Sequence, residues 1–226
     1  MPDIPRIADY PLPSRNGLPD NTVDWTLDPD RAALLVHDMQ HFFLRPFGAA
    51  PELRKNLVEH CALLREACVD HGVPVAYTAQ PGGMSPEQRG LLKDFWGAGM
   101  TASPEDRDII DELSPGPRDL VVTKWRYSAF HRSDLLGWLA SQGRDQLIVC
   151  GVYAHVGVMM TVVDAFSHDV QVFLPADGIA DFTPEYHELA LDYTAARCGS
   201  VTTTNSLLAS LGSGRSGLAA RREARG

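Results

Sequence analysis

The 226-residue sequence lacks the features that mark several common classes of protein. Its formal charge is −9, and its only basic cluster is the terminal stretch GRSGLAARREARG, residues 214–226. A surface that binds nucleic acid needs concentrated positive charge, so we expect no nucleic-acid partner. No apolar run reaches the ~20 residues of a membrane-spanning helix, and the polar, proline-rich start does not resemble a signal peptide. We therefore expect a cytoplasmic protein without membrane contact.

The motifs of common nucleotide, nucleophile and metal sites are also missing. There is no GxGxxG, no GxxxxGK[ST] and no GxSxG, which argues against nucleotide binding and against a serine nucleophile elbow. The four cysteines show no CxxC spacing; Cys61 and Cys68 lie two helical turns apart and read as core residues. Because His37, His41 and His155 lack HxH or HExxH spacing, we predict no metal site. We interpret His37 as a packed core residue and His155 as a partner of its own helical turn.

What the sequence does contain is an alternation of apolar runs and helical patterns. Its composition, 44% apolar and 22% charged, is typical of a soluble globular protein. Six segments read as strands: 32–38, 73–80, 119–125, 146–153, 170–178 and one that begins at residue 201. Continuous apolar strands separated by helices indicate a parallel sheet covered on both faces. We predict an α/β fold with three layers, α/β/α, and a six-stranded, mostly parallel, Rossmann-like sheet.

Local signals set the expected boundaries of the domain and its helices. Residues 1–212 read as a single domain that opens with an extended arm over residues 1–30, and residues 213–226 read as a disordered tail. Ser133 and Thr183 are predicted N-caps. The section 81–117 contains only short helical patches, so we expect it to pass over the edge of the sheet that holds the active site.

Polar side chains follow the first four predicted strands. Asp38, Gln80, Lys124 and Tyr153 come at the ends of these strands, and ligands of open parallel sheets bind outside the carboxyl ends of the strands. Taken singly, each has a structural reading: Asp38 could cap the following turn, and a lysine at a strand end is often a surface residue with a buried stem. Four such groups at one edge indicate a functional site.

Five stretches of the sequence form recognisable motifs: LLVHDMQHFFLRPF, AYTAQPGGMSPEQRGLLKDFWGAGM, KWRYSAF, CGVYAHVGVMMTVVDAFSHD and PADGIADF. With them the sequence resembles the isochorismatase family of the cysteine-hydrolase-like superfamily, over roughly residues 3–210. The resemblance is greatest to the members that cleave 2-amino-2-deoxyisochorismate in phenazine pathways.

The resemblance implies a catalytic arrangement without a cysteine. Amidases of the superfamily use an Asp, a Lys and a nucleophilic Cys; Asp38 and Lys124 match the first two, and Gly157 stands at the third position. Without a thiol there is no acyl-enzyme, and the vinyl-ether hydrolases of the family share this glycine. The resemblance also implies that the N–H of Gly157 binds a pyruvyl carboxylate and that a non-proline cis peptide lies near Val152–Tyr153. The implied substrate-binding residues are Phe43, Gln80, Arg89, Trp96, Tyr153 and Gly157.

The implied reaction is hydrolysis of a vinyl ether in a chorismate-derived dicarboxylate, with Asp38 as the general acid. No metal and no other cofactor is expected, and the family pattern implies a homodimer. We consider 2-amino-2-deoxyisochorismate the substrate, with pyruvate and trans-2,3-dihydro-3-hydroxyanthranilate as products; isochorismate is the alternative. Siderophore-pathway members often carry a C-terminal carrier domain, and the short stretch after the last helix here favours the first substrate. A catalytically silent assembly homologue is a third possibility, against which Asp38 and Lys124 argue.

Overall fold

The computed structural model of the chain describes residues 4–212, so the tail predicted for residues 213–226 lies outside the described residues. The strands within the described range are β1 (Ala32–His37), β2 (Val75–Ala79), β3 (Leu120–Thr123), β4 (Gln146–Val152), β5 (Gln171–Pro175), β6 (Ile179–Ala180) and β7 (Ser200–Thr202). The longer helices are α1 (Pro51–Asp70), α2 (Leu135–Ser141), α3 (Met159–Ser167), α4 (Pro184–Arg197) and α5 (204–212). Shorter helical turns span Arg15–Gly17, His41–Leu44, Arg45–Ala49, Pro86–Arg89, Leu92–Trp96, Pro104–Arg107, Asp111–Leu113, Ala154–Val158 and Ala176–Gly178.

The strands form one sheet in the order β3-β2-β1-β4-β5-β7, and every pairing in it is parallel. The predicted three-layer α/β/α fold is confirmed. The described chain has one strand more than the six predicted, because the two residues of β6 pair with Gly151 and Val152 at the end of β4. A two-residue strand is too short to produce a periodic pattern in the sequence.

Burial explains why the strands read as continuous apolar runs. All residues of β1 and β4 are buried. Leu34 and Val36 pack into the hydrophobic cluster on one face of the sheet, whereas Ala33 and Leu35 pack into the cluster on the other. This two-residue alternation is that of a strand covered on both faces.

Of the two predicted N-caps, the structure confirms Thr183 and contradicts Ser133. The Thr183 side chain accepts a hydrogen bond from the N–H of Tyr186, which confirms it as the cap of α4. Ser133 is not the N-cap of α2, because the helix begins at Leu135 and the residue before it is Asp134. The Ser133 hydroxyl instead accepts a hydrogen bond from the N–H of Leu135 and donates one to Ala129 O.

The segment before β1 runs mostly extended, with one helical turn at Arg15–Gly17. It is fastened to the domain by the fully buried Ile7, whose N–H donates to Pro46 O, and by Asp9, which accepts a hydrogen bond from the N–H of Leu53. Within residues 4–212 no helix is both long enough and apolar enough to cross a membrane.

Candidate active site

A cavity opens at the carboxyl edge of the sheet, where the strand order reverses between β1 and β4. Parallel sheets bind ligands at such a switch point. All four predicted strand-end residues, Asp38, Gln80, Lys124 and Tyr153, line this cavity. It encloses about 550 Å³ of space free of protein atoms, open solvent at its mouth included. The convergence predicted from the strand ends is confirmed.

Asp38 and Lys124 form a buried ion pair at the floor of the cavity. The ammonium Nζ of Lys124 donates to Asp38 Oδ2 at 2.8 Å, and the two side chains are 2% and 6% exposed, respectively. The other carboxylate oxygen, Oδ1, accepts a hydrogen bond of 2.5 Å from the hydroxyl of Thr78, which itself accepts one from the Asp38 N–H. Three hydrogen bonds therefore hold Asp38 in one orientation.

Backbone conformations that are rare in proteins flank this pair. Asp38 has a φ of +53°, in the left-handed region that side-chain-bearing residues seldom adopt. The peptide between Val152 and Tyr153 is cis, as the sequence resemblance predicted. Both lie at the end of a strand, and Asp38 and Tyr153 line the cavity.

Arg89 brings a second positive charge to the cavity from the section between β2 and β3. Its guanidinium is buried and donates to Gly97 O, Trp96 O and Gln80 Oε1. Burial lowers the pKa of Arg89, and repulsion from Arg126 adds to this effect. Because these three acceptors are neutral oxygens, the Arg89 charge is left to attract an anionic group.

Aromatic rings form the apolar walls. Phe43, Trp96 and Tyr153 line the cavity as the resemblance implies. The Tyr153 hydroxyl donates to Phe43 O at 2.5 Å, and burial raises the pKa of Tyr153 well above its usual value. The phenol is thus held within the protein while its ring contacts Phe182, with 4.5 Å between ring centroids.

The isochorismatase domain model matches residues 32–206. This chain belongs to the isochorismatase family. It is 59% identical to the phenazine biosynthesis protein PhzD1 of Pseudomonas aeruginosa, over 92% of this chain and 100% of that protein. It is 47% identical to the isochorismatase of Bacillus subtilis, over 91% of this chain and 66% of that protein. Among solved structures, a cysteine hydrolase from Pseudomonas syringae pv. phaseolicola matches with a TM-score of 0.78 and 25% identity, covering 91% of this chain and 99% of that one.

Gly157 lines the cavity of this isochorismatase-family site, but its amide is not free. The residue lies inside the π-helical turn Ala154–Val158, and its N–H donates to Tyr153 O at 3.2 Å. Gly157 thus does not stand at the start of a helix, and the binding of a substrate carboxylate by its N–H stays a prediction. An irregular turn takes up the amide that a regular helix start would leave unpaired.

The partner assigned to His155 also differs from the expectation. Its Nδ1 lies 2.8 Å from the carboxylate of Asp181, and its backbone N–H donates to the same carboxylate at 2.5 Å. Its ring stacks on Tyr186, with centroids 4.2 Å apart. His155 thus links the turn that carries Gly157 to Asp181, the residue after β6, and to α4. Within residues 4–212 no group of His, Cys, Asp or Glu is arranged to hold a metal ion.

Several residues of the isochorismatase-family site were missed in the sequence. Thr78 had a usable signal, since it is a polar residue inside the apolar run VAYTA and lies two positions before Gln80. The other missed residues come from segments without a strand-end position, and their side chains reach the cavity only in the folded chain. The further lining residues are Ile4, Phe42, Leu92, Tyr127, Val156 and Phe182.

Proposed function

We propose that this chain is a vinyl-ether hydrolase that cleaves 2-amino-2-deoxyisochorismate to trans-2,3-dihydro-3-hydroxyanthranilate and pyruvate. The observation that carries the proposal is the buried Asp38–Lys124 pair beside a cavity in which position 157 offers no nucleophile. The choice of substrate is supported by the 59% identity to a phenazine biosynthesis protein along its whole length.

Asp38 is the general acid in this proposal. The ion-paired carboxylate first takes up a proton from solvent as the substrate binds. Asp38 then passes this proton to the terminal methylene carbon of the enolpyruvyl ether, and the carbon that bears the ether oxygen becomes an oxocarbenium ion. Water adds to this carbon and loses a proton, and the hemiketal collapses to pyruvate and the ring alcohol. Once ionised, the Asp38 carboxylate stabilises the adjacent cation, and the hydrogen bonds from Lys124 and Thr78 keep it in place.

The remaining lining residues bind and orient the substrate. We assign a substrate carboxylate to the buried guanidinium of Arg89, next to the amide of Gln80. Phe43, Trp96 and Tyr153 enclose the cyclohexadiene ring between apolar surfaces. Gly157 lines the cavity without a side chain.

Pyruvate release tests this function directly. A lactate-dehydrogenase-coupled assay with pure 2-amino-2-deoxyisochorismate and pure isochorismate is expected to give a kcat/KM at least tenfold higher for the amino substrate. The reverse preference would move the assignment to isochorismate, a candidate that the 47% identity to the B. subtilis isochorismatase supports. Absence of pyruvate from both substrates would refute the vinyl-ether chemistry.

We also propose a cytoplasmic homodimer in which residues 1–212 form one domain. The family resemblance supports the dimer, and the contacts of Ile7 and Asp9 with the domain support including the arm. Multi-angle light scattering of the full chain is expected to give twice the protomer mass. A protomer mass at micromolar concentration would contradict the dimer.

A further inference from the structure

The place of a catalytic side chain at position 157 is already filled by the His37 imidazole. A Cβ atom built on Gly157 would lie 2.4 Å from His37 Cε1, 3.2 Å from its Nε2 and 3.3 Å from Lys124 Nζ. Carbon atoms in contact are normally ~3.5–4.0 Å apart. The backbone of Gly157 is not in the left-handed region, so the neighbouring ring, and not backbone conformation, requires glycine here.

The imidazole is held from two sides. His37 is fully buried, and its Nδ1 lies 2.8 Å from Val152 O. Because a carbonyl oxygen only accepts, Nδ1 carries the proton in this bond. Its Nε2, which then carries no proton, lies 3.2 Å from the hydroxyl of Thr161. This hydroxyl accepts a hydrogen bond from the Ala129 N–H and has one proton, which it donates either to Nε2 or to Gly157 O at 2.7 Å. A side chain at position 157 that pushed the ring aside would have to break the bond from Nδ1 to Val152 O in a fully buried site.

Burial also lowers the pKa of His37 to about 4, so the ring is neutral at neutral pH. The nearest charged groups are Asp38, whose Oδ2 lies 3.8 Å from His37 Nδ1, and Lys124. A neutral ring can pack against Gly157 and Lys124 without adding a second positive charge beside the ammonium.

We propose that His37 is a positioning residue that keeps position 157 free of a side chain and thereby confines this site to acid catalysis. The absence of a cysteine is then not the only difference from a hydrolase with a cysteine nucleophile. The His37 imidazole must also move or be replaced before any side chain fits at position 157. The link to acid catalysis rests on the proposed function. The steric coupling between His37 and Gly157 does not.

A double-mutant cycle tests this coupling. Gly157→Ala is expected to lower Tm by about 3–10 °C through overpacking and to lower kcat at least tenfold. His37→Asn keeps a donor near the position of Nδ1 and removes Cε1 and Nε2. Adding His37→Asn to Gly157→Ala is expected to return Tm to within about 2 °C of His37→Asn alone and to recover kcat at least threefold over Gly157→Ala.

Gly199→Ala is the matched control. A Cβ atom there would meet Thr194 Cγ2 at 2.8 Å and Val172 O at 3.3 Å. Gly199 precedes the edge strand β7, which is separated from β1 by β4 and β5. Its cost in Tm should be the same with and without His37→Asn. If His37→Asn does not fold, His37→Val takes its place in the cycle.

Equal costs of Gly157→Ala in both backgrounds would overturn the proposal, as would a double variant slower than either single variant. The Tm arm needs no substrate. If the wild-type protein releases no pyruvate while Tm is rescued, the proposed function fails and the His37–Gly157 coupling stands.

Discussion

At the scale of single residues, the decisive feature is how many groups hold one carboxylate. Asp38 receives hydrogen bonds from Lys124 and Thr78 while more than nine-tenths of its side chain is buried. A buried charge without partners would destabilise the fold, and this arrangement gives it two donors and one fixed direction. The same contacts that make the carboxyl group tolerable in the core point it into the cavity.

Replacement of this carboxyl group should remove most of the activity. Asp38→Asn keeps the size of the side chain but cannot donate an acidic proton, so kcat is expected to fall by ~10²–10⁴-fold with KM nearly unchanged. The pyruvate assay measures both constants. Asp145→Asn, which alters a half-exposed surface carboxylate paired with Arg31, is the control and should leave kcat unchanged. A kcat for Asp38→Asn within threefold of wild type would exclude Asp38 as the acid.

Thr78 provides a separate test at the same carboxylate. Thr78→Val keeps the β-branched shape in β2 but removes the hydroxyl between the Asp38 N–H and Oδ1. A hydrogen bond to a charged group contributes about 1.5–3 kcal/mol, so we expect kcat to fall by roughly 10–100-fold. Thr123→Val, at the end of the edge strand β3, is the control for loss of a threonine hydroxyl. Unchanged kcat in Thr78→Val would show that Lys124 orients Asp38 without help.

At the scale of elements, the site depends on a segment that precedes the family domain. The match to the domain model begins at residue 32, yet Ile4 lines the cavity. The arm is anchored further along by Tyr10, whose hydroxyl accepts a hydrogen bond from the Asp181 N–H at 2.8 Å and lies 3.1 Å from His187 Nδ1. Asp181 in turn holds His155 and the turn that carries Gly157. The arm and the cavity wall therefore share one polar network.

Loosening this anchor should affect stability and substrate affinity more than the chemical step. Tyr10→Phe leaves the buried Asp181 N–H without its acceptor, which is expected to cost about 1–3 kcal/mol in the free energy of unfolding. We expect KM to rise while kcat stays within threefold, because Asp38 is not displaced. Urea denaturation and steady-state kinetics measure the two effects. Tyr193→Phe, at an exposed tyrosine of α4, should change neither. Wild-type stability in Tyr10→Phe would show that the arm does not depend on this bond.

At the scale of the whole molecule, two buried histidines couple folding to pH. Burial lowers the pKa values of His37 and His187 to about 4, although Asp38 beside the first and Asp181 beside the second act in the opposite direction. In the unfolded chain both would titrate near their ordinary value of 6.5. Between these values the unfolded chain binds protons that the folded chain does not, so the unfolded state is favoured as pH falls.

The free energy of unfolding should therefore be insensitive to these two groups above about pH 7 and should decrease between about pH 6.5 and 4. At pH 5 the expected loss is about 2 kcal/mol per histidine. Denaturation curves from pH 7.5 to 5 measure it. His187→Gln, which does not titrate, should remove about half of the change, and His131→Gln, at an exposed position, should remove none. A flat stability profile down to pH 5 would contradict the assignment of two neutral buried imidazoles.

Local sequence patterns predict the fold of this protein and the position of its candidate active site. Strand burial on both faces gives continuous apolar runs, so the parallel α/β/α fold was readable from residues such as 32–37 and 146–152. Because parallel strands end at a common edge, the sequence alone assigns the residues after them, including Asp38 and Lys124, to one site. The motif resemblance added Arg89 and Trp96, which have no strand-end position.

Tertiary structure decided what depends on register and packing between distant segments. The pairing of β6 with β4, the Thr78 bridge to Asp38 and the occupied N–H of Gly157 all join or orient groups through the three-dimensional path of the chain. His37 and Gly157 are 120 positions apart, yet a Cβ atom at position 157 would lie only 2.4 Å from the His37 ring. Sequence periodicity predicts which face of a helix or strand a residue occupies. Which side chains touch depends on how the helices and strands pack against one another. The sequence therefore determined which edge of the sheet carries the chemistry, and packing determined why glycine stands at position 157.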